Sequence, residues 1–355
     1  MRFNKEQLEA INFNDAPLVI KAGAGTGKTA VITKKIADLI LQEKALPQEI
    51  LALTFTDKAA GEMQNRVERE LPPLFSYSDF WILTFHAFCE RVLRNHALDI
   101  GLPADFKVID NIETRILTAK EFERFKLNYY KPEGNPARLL SDLLSHFSRC
   151  KDEMISPEIY LKLAKEEKEK EVAEAYQTYQ EILLDKNCLD FGDLLLYTLK
   201  LFQKRTLILE KYRKLFKYLV VDEFQDTNRV QYEILNLLAK KRKKITICLD
   251  GNQSIYEWRG ASSDNLKLFK KDYPEHKEIF LSKNYRSFQN ILDLTHQFLP
   301  EGDKLKSMRR GKGEIEHLHF VSLEREQSGI ADKIIELSKE MNFGEIAVLT
   351  RTNRD

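Results

Sequence analysis

The run Ala22-Gly23-Ala24-Gly25-Thr26-Gly27-Lys28-Thr29 sets glycines, a lysine and a hydroxyl close together. It fits the GxxxxGK[ST] pattern with Ala22 at the first glycine, an A-x-x-G-x-GK[ST] variant. Glycines here let successive backbone N–H groups turn inward on phosphate oxygens without Cβ clashes. Lys28 is then expected to neutralise β/γ-phosphates, and the Thr29 hydroxyl to ligate Mg2+. A second acidic site is needed, and Tyr218-Leu219-Val220-Val221-Asp222-Glu223 offers it as an apolar run ending in two acids. Asp222 is expected to help hold the metal and Glu223 to polarise an attacking water. The pair of segments implies a nucleoside-triphosphate hydrolase.

These residues need elements to carry them. Leu18-Val19-Ile20 reads as a strand leading into the glycine-rich turn. Val31, Ile32, Ile36, Leu39 and Ile40 then recur at helical spacing, which puts a helix N-terminus at the phosphate. Ile50 to Phe55 and Trp81 to Phe85 are further strand-like runs, as are Tyr218 to Val221 and Ile245 to Leu249. Strands alternating with helices imply an α/β domain with a parallel sheet. From about Pro103 to Lys186 strand-like runs vanish and polar helices follow one another, which reads as a helical insertion. Its charge run from Leu161 to Glu171 is expected to be a solvated helix face. Glu301 to Glu314 reads as a loop, and Ile315 to Val321 and Ile346 to Thr350 as strands of a further domain.

Composition bounds the reading. A length of 355 residues implies two or three domains, and 43% hydrophobic residues rule out wholesale disorder. A net charge of +1 gives no support to a general polyanion-binding surface, so nucleic-acid contacts must come from local placement. No run is long enough for a membrane span, and the N-terminus lacks the apolar stretch of a signal peptide. The scattered Cys89, Cys150, Cys188 and Cys248 are expected to be reduced, buried thiols of a cytoplasmic protein.

Several segments together resemble the superfamily 1 DNA helicases of the UvrD/Rep/PcrA type. Asp222-Glu223-Phe224-Gln225-Asp226-Thr227 resembles motif II, and Asn4-Lys5-Glu6-Gln7 the Q motif. Thr54-Phe55-Thr56-Asp57-Lys58-Ala59-Ala60-Gly61-Glu62-Met63 is similar to motif Ia, and Thr84-Phe85-His86-Ala87-Phe88 to motif Ib. Leu189-Asp190-Phe191-Gly192-Asp193-Leu194-Leu195 matches the segment ahead of motif II. Gln253-Ser254-Ile255-Tyr256-Glu257-Trp258-Arg259-Gly260-Ala261 resembles motif III, and Asn284-Tyr285-Arg286-Ser287 motif IV. Ile346 to Asn353 resembles the strand opening the main part of domain 2A. The segments occur in the family's order along almost the whole chain.

The resemblance implies a RecA-like, P-loop motor domain 1A at 1–102 and 187–277, a helical insertion 1B at 103–186, and the incomplete start of a second RecA-like domain 2A at 278–355. It implies ATP and Mg2+ as cofactors, with single-stranded DNA and single-strand/duplex junctions as partners. The implied activity is ATP hydrolysis coupled to 3′→5′ movement and duplex unwinding, as in DNA repair. Gln7 would read adenine, Tyr285 would stack on it, Gln253 would meet the γ-phosphate, and Arg286 would be an arginine finger reaching across the cleft. Phe55, Lys58, His86, Tyr256, Trp258 and Arg259 would meet DNA, the aromatics by stacking on bases.

Three departures stand out. Ala30 replaces an arginine common in the family, Asp57 an asparagine, and Leu249-Asp250-Gly251-Asn252-Gln253 keeps only the first acid and the glutamine of Gly-Asp-x-Asp-Gln. Motifs V and VI have no counterpart, so the chain is expected to be a fragment with slow hydrolysis and no unwinding. Two other readings share the motifs: the helicase part of a RecB/AddA-type helicase–nuclease, and a non-catalytic, ATP-gated single-strand binding module.

Overall fold

Strands that are apolar along their whole length are stable only between two layers of helices. The computed structural model has that arrangement, and it describes residues 2–72, 80–132, 134–254, 264–299 and 302–350. The first of two units, residues 1–310, opens with α1 (Lys5–Asn12), β1 (Leu18–Ala22), α2 (Lys28–Leu41) and β2 (Ile50–Thr54). It continues with α3 (Asp57–Glu70), β3 (Trp81–Thr84) and α4 (Phe85–His96). The inserted stretch holds β4 (Lys107–Val108), α5 (Asn111–Lys120), α6 (Ala137–Asp152), α7 (Pro157–Leu163) and α8 (Glu167–Asp185). The chain returns through β5 (Cys188–Leu189), α9 (Phe191–Lys204), α10 (Thr206–Leu215), β6 (Tyr218–Val221) and α11 (Arg229–Ala239). Then come β7 (Ile245–Leu249), α12 (Asp264–Asp272), β8 (Lys277–Leu281), β9 (Lys283–Asn284), α13 (Gln289–Phe298) and β10 (Lys306–Ser307).

Six strands form one parallel sheet in the order β3-β2-β6-β7-β1-β8. The two-residue period of a strand divides its side chains between two cores. Val19, Leu51, Leu53, Leu219, Val221 and Ile247 pack with residues of α4, α9 and α11 on one face. Leu18, Ile20, Ile50, Ala52, Val220 and Cys248 pack with residues of α1, α2 and α3 on the other. The four cysteines are free and buried, as expected of small core side chains.

The insertion has its own core, in which Phe147 stacks between Tyr176 and Tyr179 at centroid distances of 4.8 and 5.4 Å. A short parallel ladder, β4 on β5, ties the stretch's entry to its exit. The basic run Lys240 to Lys244 lies between α11 and β7, where Lys241 pairs with Glu210 and Lys243 with Glu275.

Two expectations change. The sheet does not stop at residue 277, because β8 runs to Leu281 in register with β1, Ala22 opposite Leu281. The boundary expected at 277/278 therefore falls inside a strand. In the second unit, residues 311–355, the described residues form α14 (Leu323–Leu337) with no ladder at 315–321 or 346–350. A strand satisfies its backbone groups only through a neighbour, and these runs have none among the described residues. Val321 and Leu349 are accordingly 91% and 94% exposed.

Candidate nucleotide and nucleic-acid site

All strands of the sheet point the same way, so the loops leaving β1, β2, β3, β6 and β7 share one edge. After β1 the backbone turns through Gly25 and Gly27, at φ 77° and 88°, values that favour glycine. Gly27 caps α2 without a side-chain acceptor, which leaves the first-turn N–H groups for an anion. Thr26 folds back instead, its hydroxyl donating to the Gly23 carbonyl at 2.7 Å.

Lys28 Nζ lies 2.8 Å from Glu223 Oε2, joining the glycine-rich loop to the acidic loop after β6. Burial alone would lower the Lys28 ammonium, but the Glu223 carboxylate outweighs it and holds the group above its ordinary range. Glu223 sits at φ 50° and ψ 44°, a left-handed conformation that costs a β-carbon-bearing residue about 1 kcal/mol or more. Gln225 Nε2 donates to the same carboxylate oxygen at 2.7 Å, while its Oε1 accepts the Asp250 N–H at 3.1 Å. Gln225 thus bridges the loops after β6 and β7.

Asp222 is buried at the end of β6 and accepts the Glu223 N–H at 3.0 Å. Burial, with Glu223 adding repulsion, pushes its carboxyl up to about 6, and the same causes push Asp226 to about 6. Asp226 Oδ1 is buried without a hydrogen-bond partner among the described residues. Carboxylates short of donors, with the Thr29 hydroxyl opening α2, make a hard-oxygen donor set that fits Mg2+.

The opposite wall of the loop is the segment Asn284 to Ser287, in which the sequence reading gives roles to Tyr285 and Arg286 but none to Asn284. Asn284, 1% exposed, donates from Nδ2 to the Ala24 carbonyl at 2.6 Å. Its Oδ1 accepts the N–H groups of Arg286 and Ser287 at 2.9 and 2.8 Å, and the Tyr285 N–H donates to the Gly25 carbonyl at 2.9 Å. Arg286 therefore lies against the loop within the first unit, where a β-carbon on Gly25 would fall 2.6 Å from Arg286 Cβ. The Tyr285 hydroxyl accepts from Asn4 Nδ2 at 2.9 Å. Gln7 closes a capping box with Asn4 and donates from Nε2 to the Thr26 carbonyl at 2.9 Å. Gln7, Tyr285 and Arg286 thus surround the glycine-rich turn, which also contains Ala22 to Gly27.

Gln253 is exposed in the loop after β7, its N–H closing a turn on the Asp250 carbonyl at 3.1 Å. Among the described residues, the side-chain hydrogen bonds of Lys28 and Glu223 go to each other and to Gln225, not to Gln253. Tyr256, Trp258 and Arg259 lie outside the described residues.

Farther along the edge, Phe55 follows β2 and is half-buried, and Lys58 is exposed in the first turn of α3. Thr56 caps that helix, accepting the Ala59 N–H at 3.1 Å. His86 opens α4 and packs edge-on against Phe191, centroids 5.4 Å apart. Burial lowers its imidazole below the ordinary range, against the pull of Asp190 and Asp57, which favours the neutral ring. Phe191, 44% exposed, lies in the segment ahead of motif II and carries no role in the sequence reading. At roughly 4.8 Å per strand step, β1 and β2 stand roughly 14 Å apart with β7 and β6 between them. The acidic loop after β6 therefore sits between the phosphate loop and the aromatic stretch.

Comparison with known proteins gives a family for the chain. A family model described as the UvrD/REP helicase N-terminal domain matches residues 3–274, and one described as the UvrD-like helicase C-terminal domain matches 279–355. The chain is 38% identical to the ATP-dependent DNA helicase PcrA of Leuconostoc citreum, across 99% of the chain and 47% of that protein. It is 36% identical to the PcrA of Bacillus subtilis strain 168, across 99% of the chain and 47% of that protein. The chain spans about half the length of the curated relatives it matches. No helix among the described residues is long and apolar enough to cross a membrane. The first family model covers well over half of the sequence and the second takes up most of the rest: the chain belongs to the UvrD/REP helicase family.

Proposed function

We propose that this chain is the N-terminal motor part of an ATP-dependent DNA helicase, acting in the cytoplasm on single-stranded DNA and single-strand/duplex junctions. The 2.8 Å contact between Lys28 and Glu223 carries the reading, since it puts a phosphate-binding cation and a water-orienting acid in one place. Residues 22–29 cradle the triphosphate, Gln7 and Tyr285 flank its base, and Thr29 and Asp222 hold Mg2+. When bound, Mg2+·ATP supplies the scissile phosphoryl group and a metal charge on its oxygens. Lys28 must leave Glu223 to meet phosphate, which frees the carboxylate to orient water. Arg286, and Gln253 from the loop after β7, stabilise charge on the transferred group.

Phe55, His86, Tyr256 and Trp258 offer faces for bases, with Phe191 beside His86, while Lys58 and Arg259 meet phosphates. Domains 1A, 1B and the start of 2A follow the division given above, with β8 added to 1A. The 3′→5′ direction and duplex unwinding rest on the family resemblance. ATP turnover measured with and without oligothymidylate tests the reading. Slow hydrolysis that rises with the oligonucleotide is expected, and either hydrolysis indifferent to DNA or a chain that binds neither ligand would overturn it.

A further inference from the structure

We propose that the last turn of α6 is a positioning clamp between the nucleic-acid and nucleotide parts of the edge, Lys151 gripping the first and Asp152 the second. The inference rests on the function proposed above. Lys151 is fully buried, and its Nζ lies 2.6 Å from Asp190 Oδ2 and 2.7 Å from Asp193 Oδ1. Tyr179 donates its hydroxyl to the same Asp190 oxygen. Asp190 and Asp193 form the capping box of α9, so the ammonium grips the turn that begins with Phe191, the neighbour of His86. Gly192 makes room for it: a β-carbon there would come within 2.7 Å of Lys151 Cδ.

The next residue reaches the other way. Asp152 Oδ1 accepts Asn228 Nδ2 at 2.6 Å. Asn228 caps α11, its own Oδ1 accepting the Gln231 N–H at 3.0 Å, and it ends the loop that begins at Glu223. Asn265 Nδ2 pins that loop end through the carbonyls of Thr227 and Asn228, at 2.8 and 3.1 Å.

Adjacent residues of one helical turn thus hold the start of α9 and the end of the acidic loop. Separating Lys151 from both acids would strand buried charge, which is far costlier than moving the helix. The start of α9 and the end of α6 therefore shift together. The Asp152–Asn228 bond must then carry the shift to the acidic loop or break. Both residues are positioning residues, since neither reaches a phosphate or a base.

The test is an equilibrium linkage measurement that needs no turnover. Affinity of the full 355-residue chain for fluorescein-labelled oligothymidylate is measured with and without Mg2+ and a non-hydrolysable ATP analogue; the ratio is the coupling factor. Asp152→Ala removes the acceptor, and Asn228→Asp, read at about pH 9 so that the two acids do not share a proton, keeps the cap while setting two carboxylates against each other. Each is expected to bring the coupling factor about fivefold or more closer to one, with nucleotide-free DNA affinity unchanged. The double variant Asp152→Asn/Asn228→Asp reverses donor and acceptor and is expected to restore it.

Parental coupling in a folded Asp152→Ala or Asn228→Asp chain overturns the clamp, as does loss without restoration by the swap. Denaturant unfolding shows which variants fold; if Asp152→Ala does not, Asn228→Asp carries the test. A parent chain that binds the oligonucleotide with no response to nucleotide overturns the clamp alone. One that binds neither ligand overturns the proposed function with it.

Discussion

Lys28 and Glu223 are each other's counter-ion, 2.8 Å apart across the gap between the glycine-rich and acidic loops. Phosphate must compete with that carboxylate for the ammonium. Glu223→Gln is therefore expected to hold the ATP analogue as tightly as the parent or more so, while hydrolysis falls about 10²–10⁴-fold. Lys28→Ala is expected to weaken both binding and turnover. Equilibrium nucleotide binding beside single-turnover hydrolysis separates the two, and a Glu223→Gln chain hydrolysing at the parental rate would remove Glu223 from its role.

Asn284 is expected to matter for ATP affinity although it sits 260 residues from the carbonyl it holds. Asn284→Ala removes the bond to Ala24 and the acceptor that shapes Arg286 and Ser287. About 1 kcal/mol per lost bond predicts a several-fold rise in the dissociation constant for the ATP analogue. Titration of the nucleotide into the variant reads it directly.

Lys35 anchors the helix that carries Asn4 and Gln7. Its buried ammonium donates to the carbonyls of Ala10, at 3.0 Å, and Phe13, at the C-terminal end of α1. Lys35→Met leaves those carbonyls without a donor, and a loss of about 1–3 kcal/mol is expected in urea unfolding.

Gly192→Ala sets two effects against each other. Alanine in a helix is better than glycine by about 1 kcal/mol. The new methyl would sit 2.7 Å from Lys151 Cδ, on a side chain pinned at its far end by two carboxylates. Overpacking of about 1–3 kcal/mol wins, so the variant is expected to unfold at lower denaturant than the parent.

Acidic groups with raised values make stability fall as pH rises. Burial pushes Asp152 from 3.8 to about 7, with Glu153 adding repulsion, and Asp222 and Asp226 to about 6. Between the unfolded and folded values the folded chain holds more protons than the unfolded one. The favourable term is present at the acid end of that window and is lost as pH climbs to about 7. Unfolding free energies at pH 5.5 and 8 are expected to be higher at the lower pH. Asp152→Asn is expected to flatten the difference; an unaltered slope would contradict the assignment.

The phosphate and acidic segments were legible because their chemistry is local: spacing alone brings Gly25, Gly27, Lys28 and Thr29 together after an apolar run. The parallel sheet followed from strands apolar on both faces. Docking of Asn284 on Ala24 was not legible, since no local pattern says which distant carbonyl an asparagine will meet. Nor was the bond from Asp152 to Asn228, although each lies beside a readable feature. The runs 315–321 and 346–350 show the reverse limit. Their apolar pattern records a capacity to be a strand, whereas forming one takes a neighbour to pair with.

Strand β8 has a practical meaning for anyone dividing this protein. A cut after residue 274, where the first family match ends, would delete β8 and the Asn284 segment together. The outer side of β1 from Leu18 to Ala22 would then become the sheet's margin, a ribbon apolar but for Lys21 and lined with unpaired N–H and C=O groups. Such ribbons template pairing between chains, so the shortened protein is expected to precipitate where a cut after Arg310 stays dispersed.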